Sequence, residues 1–192
     1  TGFEHIIPET PAPTTAPKRI AVVGAGPAGV VFSVVAAKRG HKVDLYEKSE
    51  ALGGKIIPGG NPKIKYDIEN YRKYLSNLLK SAEKTGNLAV HYNSPVSAES
   101  LREQHYDSIV FAVGTTSGTP RIPGIEKIKT VQATDLLCDI GKIGDAKKIV
   151  VVGGGVVGCE TAYWLKYEHG RDVTVVEMLP NMMEGACTAN RG

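Results

Sequence analysis

Six glycines in two matched sets are the residues of this chain best suited to chemistry. Gly24, Gly26 and Gly29 stand in GxGxxG spacing within GAGPAG, and Gly153, Gly155 and Gly158 repeat that spacing in GGGVVG. At this spacing the first glycine makes a tight turn out of a strand. The second lets the backbone approach a pyrophosphate, and the third lets a helix pack against the strand. The residues that open the helix, Pro27 and Ala28 in one loop and Val156 and Val157 in the other, bring a helix N-terminus up to the phosphates. An acid answers each set: Glu47 lies 18 residues after Gly29, and Glu177 lies 19 residues after Gly158. A carboxylate there accepts hydrogen bonds from a ribose diol. A lone match means little in a chain with 22 glycines. The weight comes from context, because each set follows a β-rich run, opens a helical pattern and is followed by an acid.

The elements that must position these residues are legible around them. Lys18 to Val23 reads as a buried parallel strand, Ala28 to Lys38 as a helix ended by Gly40, and His41 to Lys48 as the next strand. Ala51 to Lys65 is rich in Gly, Pro and Lys and reads as a long loop, in which Lys55, Lys63 and Lys65 are candidates for holding phosphate. Asp67 to Lys84 is an amphipathic helix, with Ile68, Tyr71, Leu75, Leu78 and Leu79 on one side. Leu88 to Tyr92 and Ser108 to Val113 are further strands, and Ser117 to Gly124 is a Pro/Gly-rich crossing. A second cycle follows: strand Lys147 to Val152, helix Val156 to Glu168 and strand Arg171 to Glu177. Two strand–loop–helix–strand cycles predict an α/β, Rossmann-like fold, a parallel sheet with helices on both faces.

Composition narrows the function classes. The net charge is +3 and the basic residues are spread along the chain, so no block points to nucleic acid. No apolar run reaches the length of a membrane span, and the opening stretch does not resemble a signal peptide. Cys138, Cys159 and Cys187 form no CxxC and no zinc pattern, and read as isolated thiols of a cytoplasmic protein. His5, His41, His91, His105 and His169 are scattered and pair with no nucleophile. No catalytic residue and no metal ligand is expected; the expected partners are small-molecule dinucleotides. Around Glu177 stand Val176, Met178, Leu179 and Pro180. A carboxylate without a neighbouring cation repels a 2′-phosphate, which favours NADH over NADPH at the second loop.

The stretch from Lys18 to Lys55 resembles the FAD-binding segment of flavoproteins with two dinucleotide-binding domains. The resemblance implies that Glu47 and its neighbour Lys48 lie at the FAD ribose, and that the pair Gly53 and Gly54 in LGGK approaches FAD. It also implies that Val96 in NSPVSAE touches the adenine through its backbone. The run YDSIVFAVGTTSGTPRIPGI is similar to the family strand that lies near the flavin. Ala112 and Gly114 match its Ala-Thr-Gly, with Val113 where threonine is common. Within this superfamily the chain resembles the C-terminal region of clostridial-type 2-enoate reductases. These belong to a group of NADH:flavin oxidoreductases that includes 2,4-dienoyl-CoA reductase and trimethylamine dehydrogenase.

That resemblance implies FAD and NADH as cofactors here, with FMN and a 4Fe-4S cluster on a preceding barrel in a homo-oligomeric parent enzyme. It implies three parts: a linker over 1–17, the N-terminal segment of an FAD domain over 18–125, and the incomplete opening of an NADH domain over 126–192. The expected activity is hydride transfer from NADH to FAD, serving reduction of an α,β-unsaturated acid; the 192 residues alone are expected to be inactive. No cysteine pair stands in LGGKIIPGGNPKIK, which disfavours thiol–disulfide chemistry. A reductase component of another electron-transfer system and a non-catalytic dinucleotide-binding module remain as alternatives.

Overall fold

Four short parallel strands place the first glycine loop. They are β1 (Arg19–Val23), β2 (Lys42–Tyr46), β3 (Leu88–His91) and β4 (Ser108–Phe111), in the order β3-β2-β1-β4. Val23 is in register with Tyr46 on one side and with Phe111 on the other. Gly24, Glu47 and Ala112 therefore leave the sheet side by side at its carboxyl edge. Strand order also reverses there: the chain runs outward from β1 through β2 to β3, then returns to β4 on the far side of β1. Ligands of open α/β sheets bind at such a switch point. The structure is a computed structural model and describes residues 11–184. His5, Cys187 and the start of the expected linker lie outside the described residues.

Helices α1 (Pro27–Lys38) and α3 (Tyr66–Glu83) cover one face of this sheet. Between α1 and α3 run a short helix α2 (Ile56–Gly59) and a 3-10 turn at Lys63–Lys65. The core joins Ile20, Val22, Val43 and Leu45 of the strands to Val30 and Val34 of α1 and Leu75 and Leu79 of α3. Alternate strand residues supply it, as the period of two requires. Helix α4 (Ala98–Glu103) lies in the β3-to-β4 crossover and buries Leu101. A right-handed return across β1 places it on the opposite face.

The second cycle builds β5 (Lys148–Val152) and β6 (Asp172–Val176), again parallel, with α6 (Val156–Tyr167) between them. The helix α5 (Ala133–Cys138) contributes Leu136 and Leu137, which pack with Trp164 and Leu165 of α6. Ile149, Val151 and Val173 face this core, whereas Val150 and Val152 are 62% and 58% exposed. Among the described residues, helices cover one face of this two-stranded sheet rather than both.

The chain divides into two compact units, Thr1–Ile56 with Glu69–Thr115, and Ile57–Ile68 with Thr116–Gly192. This differs from a boundary at 125/126. Ile57–Ile68 belongs to the second unit because its polar groups are bound there. The Asn61 side chain donates to the Leu137 carbonyl, and Lys63 N–H donates to Glu168 at 2.8 Å. The Lys65 ammonium meets Glu160 at 2.5 Å. Lys65, a candidate for holding phosphate, is thus engaged in an ion pair with Glu160. The stretch read as one long loop also holds two short helical turns, with Pro58 in the single turn of α2, where its absent N–H costs nothing.

Candidate dinucleotide sites

Each glycine of the first loop meets a different local demand. Gly24 has φ +103°, and a Cβ there would lie 2.5 Å from the Ala112 carbonyl oxygen. A Cβ on Gly29 would overlap the carbonyl oxygen of Gly24, so the helix could not approach the strand. Gly26 differs from both. Its φ is −69° and its ψ 176°, ordinary extended backbone, and a Cβ there meets nothing within 4 Å. Neither the fold nor the backbone demands a glycine at this position.

The second loop repeats this geometry nearly degree for degree. Gly153 has φ +104°, Gly155 has φ −70° with open space beside it, and a Cβ on Gly158 would overlap the Gly153 carbonyl oxygen. Both helices start without a side-chain cap and without an acid in the first turn. The first main-chain bonds are Val30 N–H to Gly26 in α1 (3.0 Å) and Cys159 N–H to Gly155 in α6 (2.9 Å). The N–H groups of Ala28 and Gly29, and those of Val156, Val157 and Gly158, remain for an anion. Pro27 at the head of α1 has no N–H to offer.

The two acids are tied into the loops they follow. In the first unit Gly24 N–H donates to the Tyr46 carbonyl at 2.7 Å, and Ala25 N–H donates to Glu47 Oε2 at 2.7 Å. In the second, Gly153 N–H donates to the Val176 carbonyl at 2.8 Å, and Gly154 N–H donates to Glu177 Oε2 at 2.5 Å. Glu47 Oε1 also accepts Ser49 N–H at 2.9 Å, while Glu177 Oε1 accepts Met178 N–H at 2.6 Å and Leu179 N–H at 2.8 Å. Glu47 is only 7% exposed. Burial pushes its carboxyl up, but the N–H donors of Ala25 and Ser49, the Ser49 hydroxyl and the Lys48 charge outweigh burial and hold it below the ordinary value. Glu177 is also held low, chiefly by the Leu179 and Gly154 N–H groups. Both acids are therefore anionic acceptors at neutral pH.

The other expected residues gather around the first loop. Gly53 N–H donates to the Ala25 carbonyl at 2.9 Å, and a Cβ on Gly54 would stand 3.4 Å from Gly26 Cα. Ala112 N–H donates to the Val23 carbonyl at 2.8 Å, beside Gly24, while Gly114 follows in exposed coil. Ser94 N–H donates to the Glu47 carbonyl at 2.8 Å and Asn93 N–H to the Ser49 carbonyl at 2.9 Å, which brings the half-buried Val96 loop to the acid. Lys48 is exposed next to it.

Sequence reasoning did not anticipate the backbone tie from loop to acid, nor the return of the chain onto the second loop. Met183 N–H donates to the Gly154 carbonyl at 2.7 Å, six residues after Glu177, just as Gly53 closes on Ala25 six residues after Glu47. Cys159, read from the sequence as an isolated thiol, donates its thiol to the same Gly154 carbonyl at 3.2 Å. Equal spacing after the two acids was the available signal for the closure, and the change from glycine to methionine hid it.

A profile of the pyridine nucleotide-disulphide oxidoreductase family matches residues 18–190. Cinnamate reductase of Clostridium sporogenes is 38% identical over 167 residues, covering 87% of this chain and 24% of that protein. NADH oxidase of Thermoanaerobacter brockii is 40% identical over 167 residues, 86% of this chain and 25% of that protein. Among solved structures, 2-naphthoyl-CoA reductase in complex with 2-naphthoyl-CoA superposes with a TM-score of 0.85 at 29% identity, over 94% of this chain and 26% of that one. The chain thus spans about a quarter of the length of the relatives it matches.

Proposed function

The chain belongs to the pyridine nucleotide-disulphide oxidoreductase family, and from that premise we propose that its first unit holds FAD and that its second unit carries the opening part of an NADH site. The family implies FAD and a nicotinamide dinucleotide. The observation that supports their placement is the open space at Gly26 and Gly155, two glycines that nothing in the protein requires. When bound, FAD supplies an isoalloxazine that accepts hydride from a dihydronicotinamide. The residues of this chain bind and orient. Gly26 and the N–H groups of Ala28 and Gly29 face the pyrophosphate, Glu47 the ribose, and Gly53, Gly54, Ala112 and Gly114 line the way toward the flavin. At the second loop, Glu177 and the uncharged run Met178–Met183 favour NADH over its 2′-phosphate.

We further propose that the whole enzyme reduces an α,β-unsaturated acid, with FMN and a 4Fe-4S cluster on a part preceding this one. The likeness to cinnamate reductase supports this reading. The test is a pair of absorbance spectra. This chain, mixed with FAD, should give the shifted, structured bands of bound flavin. The full-length protein, loaded with FAD, should lose its flavin absorbance when NADH is added. No FAD bound by either would sink the assignment of the first loop. FAD bound but never bleached by NADH would favour a dinucleotide-binding module instead.

A further inference from the structure

The two loops close in the same way with residues of opposite size. In the first unit Gly53 returns to Ala25, and in the second Met183 returns to Gly154. The residue before each return lies five positions after the acid: Leu52 after Glu47, and Met182 after Glu177. Leu52 is buried in the core of its unit at 6% exposure, whereas Met182 is 50% exposed. Met182 nevertheless rests on the loop. A Cβ on Gly154 would overlap its Sδ and stand 3.2 Å from Glu177 Oε2. The middle glycine of GGG, for which the GxGxxG spacing has no use, thus makes room for a thioether. All three methionines of the chain, Met178, Met182 and Met183, stand in the six residues that follow Glu177.

The closure is held against a local cost. Met183 N–H holds the Gly154 carbonyl at 2.7 Å, with Met183 itself at φ +57°, a region that strains a side chain larger than glycine. The Gly154 N–H is already given to Glu177 Oε2 at 2.5 Å. A thioether asks little of these neighbours, being a weak acceptor and no donor. Oxidation to the sulfoxide turns the same side chain polar. The new oxygen on Met182 Sδ would stand beside the Glu177 carboxylate, with the nearby Gly154 N–H taken. It must either compete with Glu177 for that N–H or swing the side chain off the loop, and each breaks the closure.

We propose that Met182 is a site of reversible oxidation by hydroperoxides, and that its sulfoxide releases the second loop and weakens nucleotide binding there. The Sδ lone pair attacks one oxygen of hydrogen peroxide, and the S–O bond forms as the O–O bond breaks. The transferred oxygen gives its proton to the departing hydroxide, which leaves as water. The thioether loses two electrons and the peroxide gains them. The inference rests on the reading of the second loop as an NADH segment and adds a control to it. Peroxide lowers the supply of NADH, while the first loop, with leucine at the matching place, keeps its flavin.

The experiment titrates ADP calorimetrically into the chain in saturating FAD, before and after hydrogen peroxide, and checks that NADH displaces the bound ADP. After peroxide, mass spectrometry should find one added oxygen on Met182, and ADP affinity should fall by about fivefold or more. Methionine sulfoxide reductases for both epimers should restore it; dithiothreitol, which reverses sulfenic acids and disulfides, should not. Met182→Leu gives the second loop the residue that the first loop has. After peroxide its ADP affinity should stay within about twofold of its own earlier value, although Met178, 94% exposed, still takes up oxygen. FAD affinity should hold in both proteins. The proposal is overturned, and the nucleotide site stands, if Met182 gains no oxygen, if it gains one without loss of ADP affinity, or if Met182→Leu responds as wild type does. Recovery with dithiothreitol alone would assign the effect to Cys159, and loss of FAD as well would mean general damage; either overturns it. If ADP does not bind before peroxide, or NADH does not displace it, the reading of the second loop as an NADH segment fails, and the proposal with it.

Discussion

Glu47 Oε2 accepts the backbone N–H of Ala25 at 2.7 Å, so the acid we propose for the ribose also holds the glycine turn in shape. The tie predicts an acid-dependent stability. The Glu47 carboxyl is lower in the folded chain than its ordinary value of 4.5, its N–H donors outweighing the upward push of burial. A carboxyl whose pKa falls on folding stabilises the fold above its unfolded value, and that contribution is lost as pH falls through the lower folded value. Glu47→Gln should therefore be less stable than wild type near neutral pH, and the gap should shrink as pH falls from about 7 to about 3. Urea unfolding across that range checks it. A gap independent of pH would show that the charge of Glu47 contributes nothing.

Gly26→Ala and Gly29→Ala should separate binding from folding. Alanine at Gly26 meets no protein atom, and its φ of −69° suits any residue, so stability should change by less than about 1 kcal/mol. FAD affinity should nevertheless fall, by about tenfold or more, because the methyl group would stand in the proposed path of the pyrophosphate. Gly29→Ala drives a methyl into the Gly24 carbonyl and should cost roughly 1–3 kcal/mol or more of stability. Thermal melts with FAD titrations of both variants decide the matter; equal stability losses at the two positions would refute the division of roles.

Lys65→Ala should leave FAD and ADP affinities within about twofold, because its ammonium is paired with Glu160 at 2.5 Å. Both partners are partly exposed, so the stability cost should stay below about 1 kcal/mol. A roughly tenfold loss of nucleotide affinity would show that Lys65 holds phosphate despite its pairing with Glu160.

Ser33 carries one of the buried polar atoms without a hydrogen-bond partner among the described residues, its hydroxyl enclosed by α1 and the core. Removing an unsatisfied hydroxyl while keeping the backbone recovers its desolvation cost. Ser33→Ala should stabilise by about 1 kcal/mol, measured as a shift of the urea midpoint at constant slope. A destabilised variant would mean that the hydroxyl has a partner.

What the sequence disclosed was local. Both glycine sets, both acids and the strands and helices that carry them are encoded within some thirty residues each, through period-two and period-3.6 patterns that need no distant partner. The short helices escaped for physical reasons. Helix α4 is capped by Ser97 and Ser100 bonding reciprocally, with serine where a capping box usually shows Glu or Gln, and it has only six residues. Helix α5 has no side-chain cap at Gln132. The membership of Ile57–Ile68 in the second unit depends on Asn61 reaching Leu137, 76 residues away, and no local pattern records such a contact. At the second site, the spacing announced Glu177 but gave no sign that three backbone N–H groups would crowd it.

That crowding limits how nucleotide preference can evolve or be engineered. The simplest route toward a phosphorylated nucleotide exchanges the ribose acid for a cation. Here the exchange would strip the N–H groups of Gly154, Met178 and Leu179 of their common acceptor in a single step. Any such exchange must first find those amides another anchor, so under the proposed NADH reading the wiring of the loop itself resists the change.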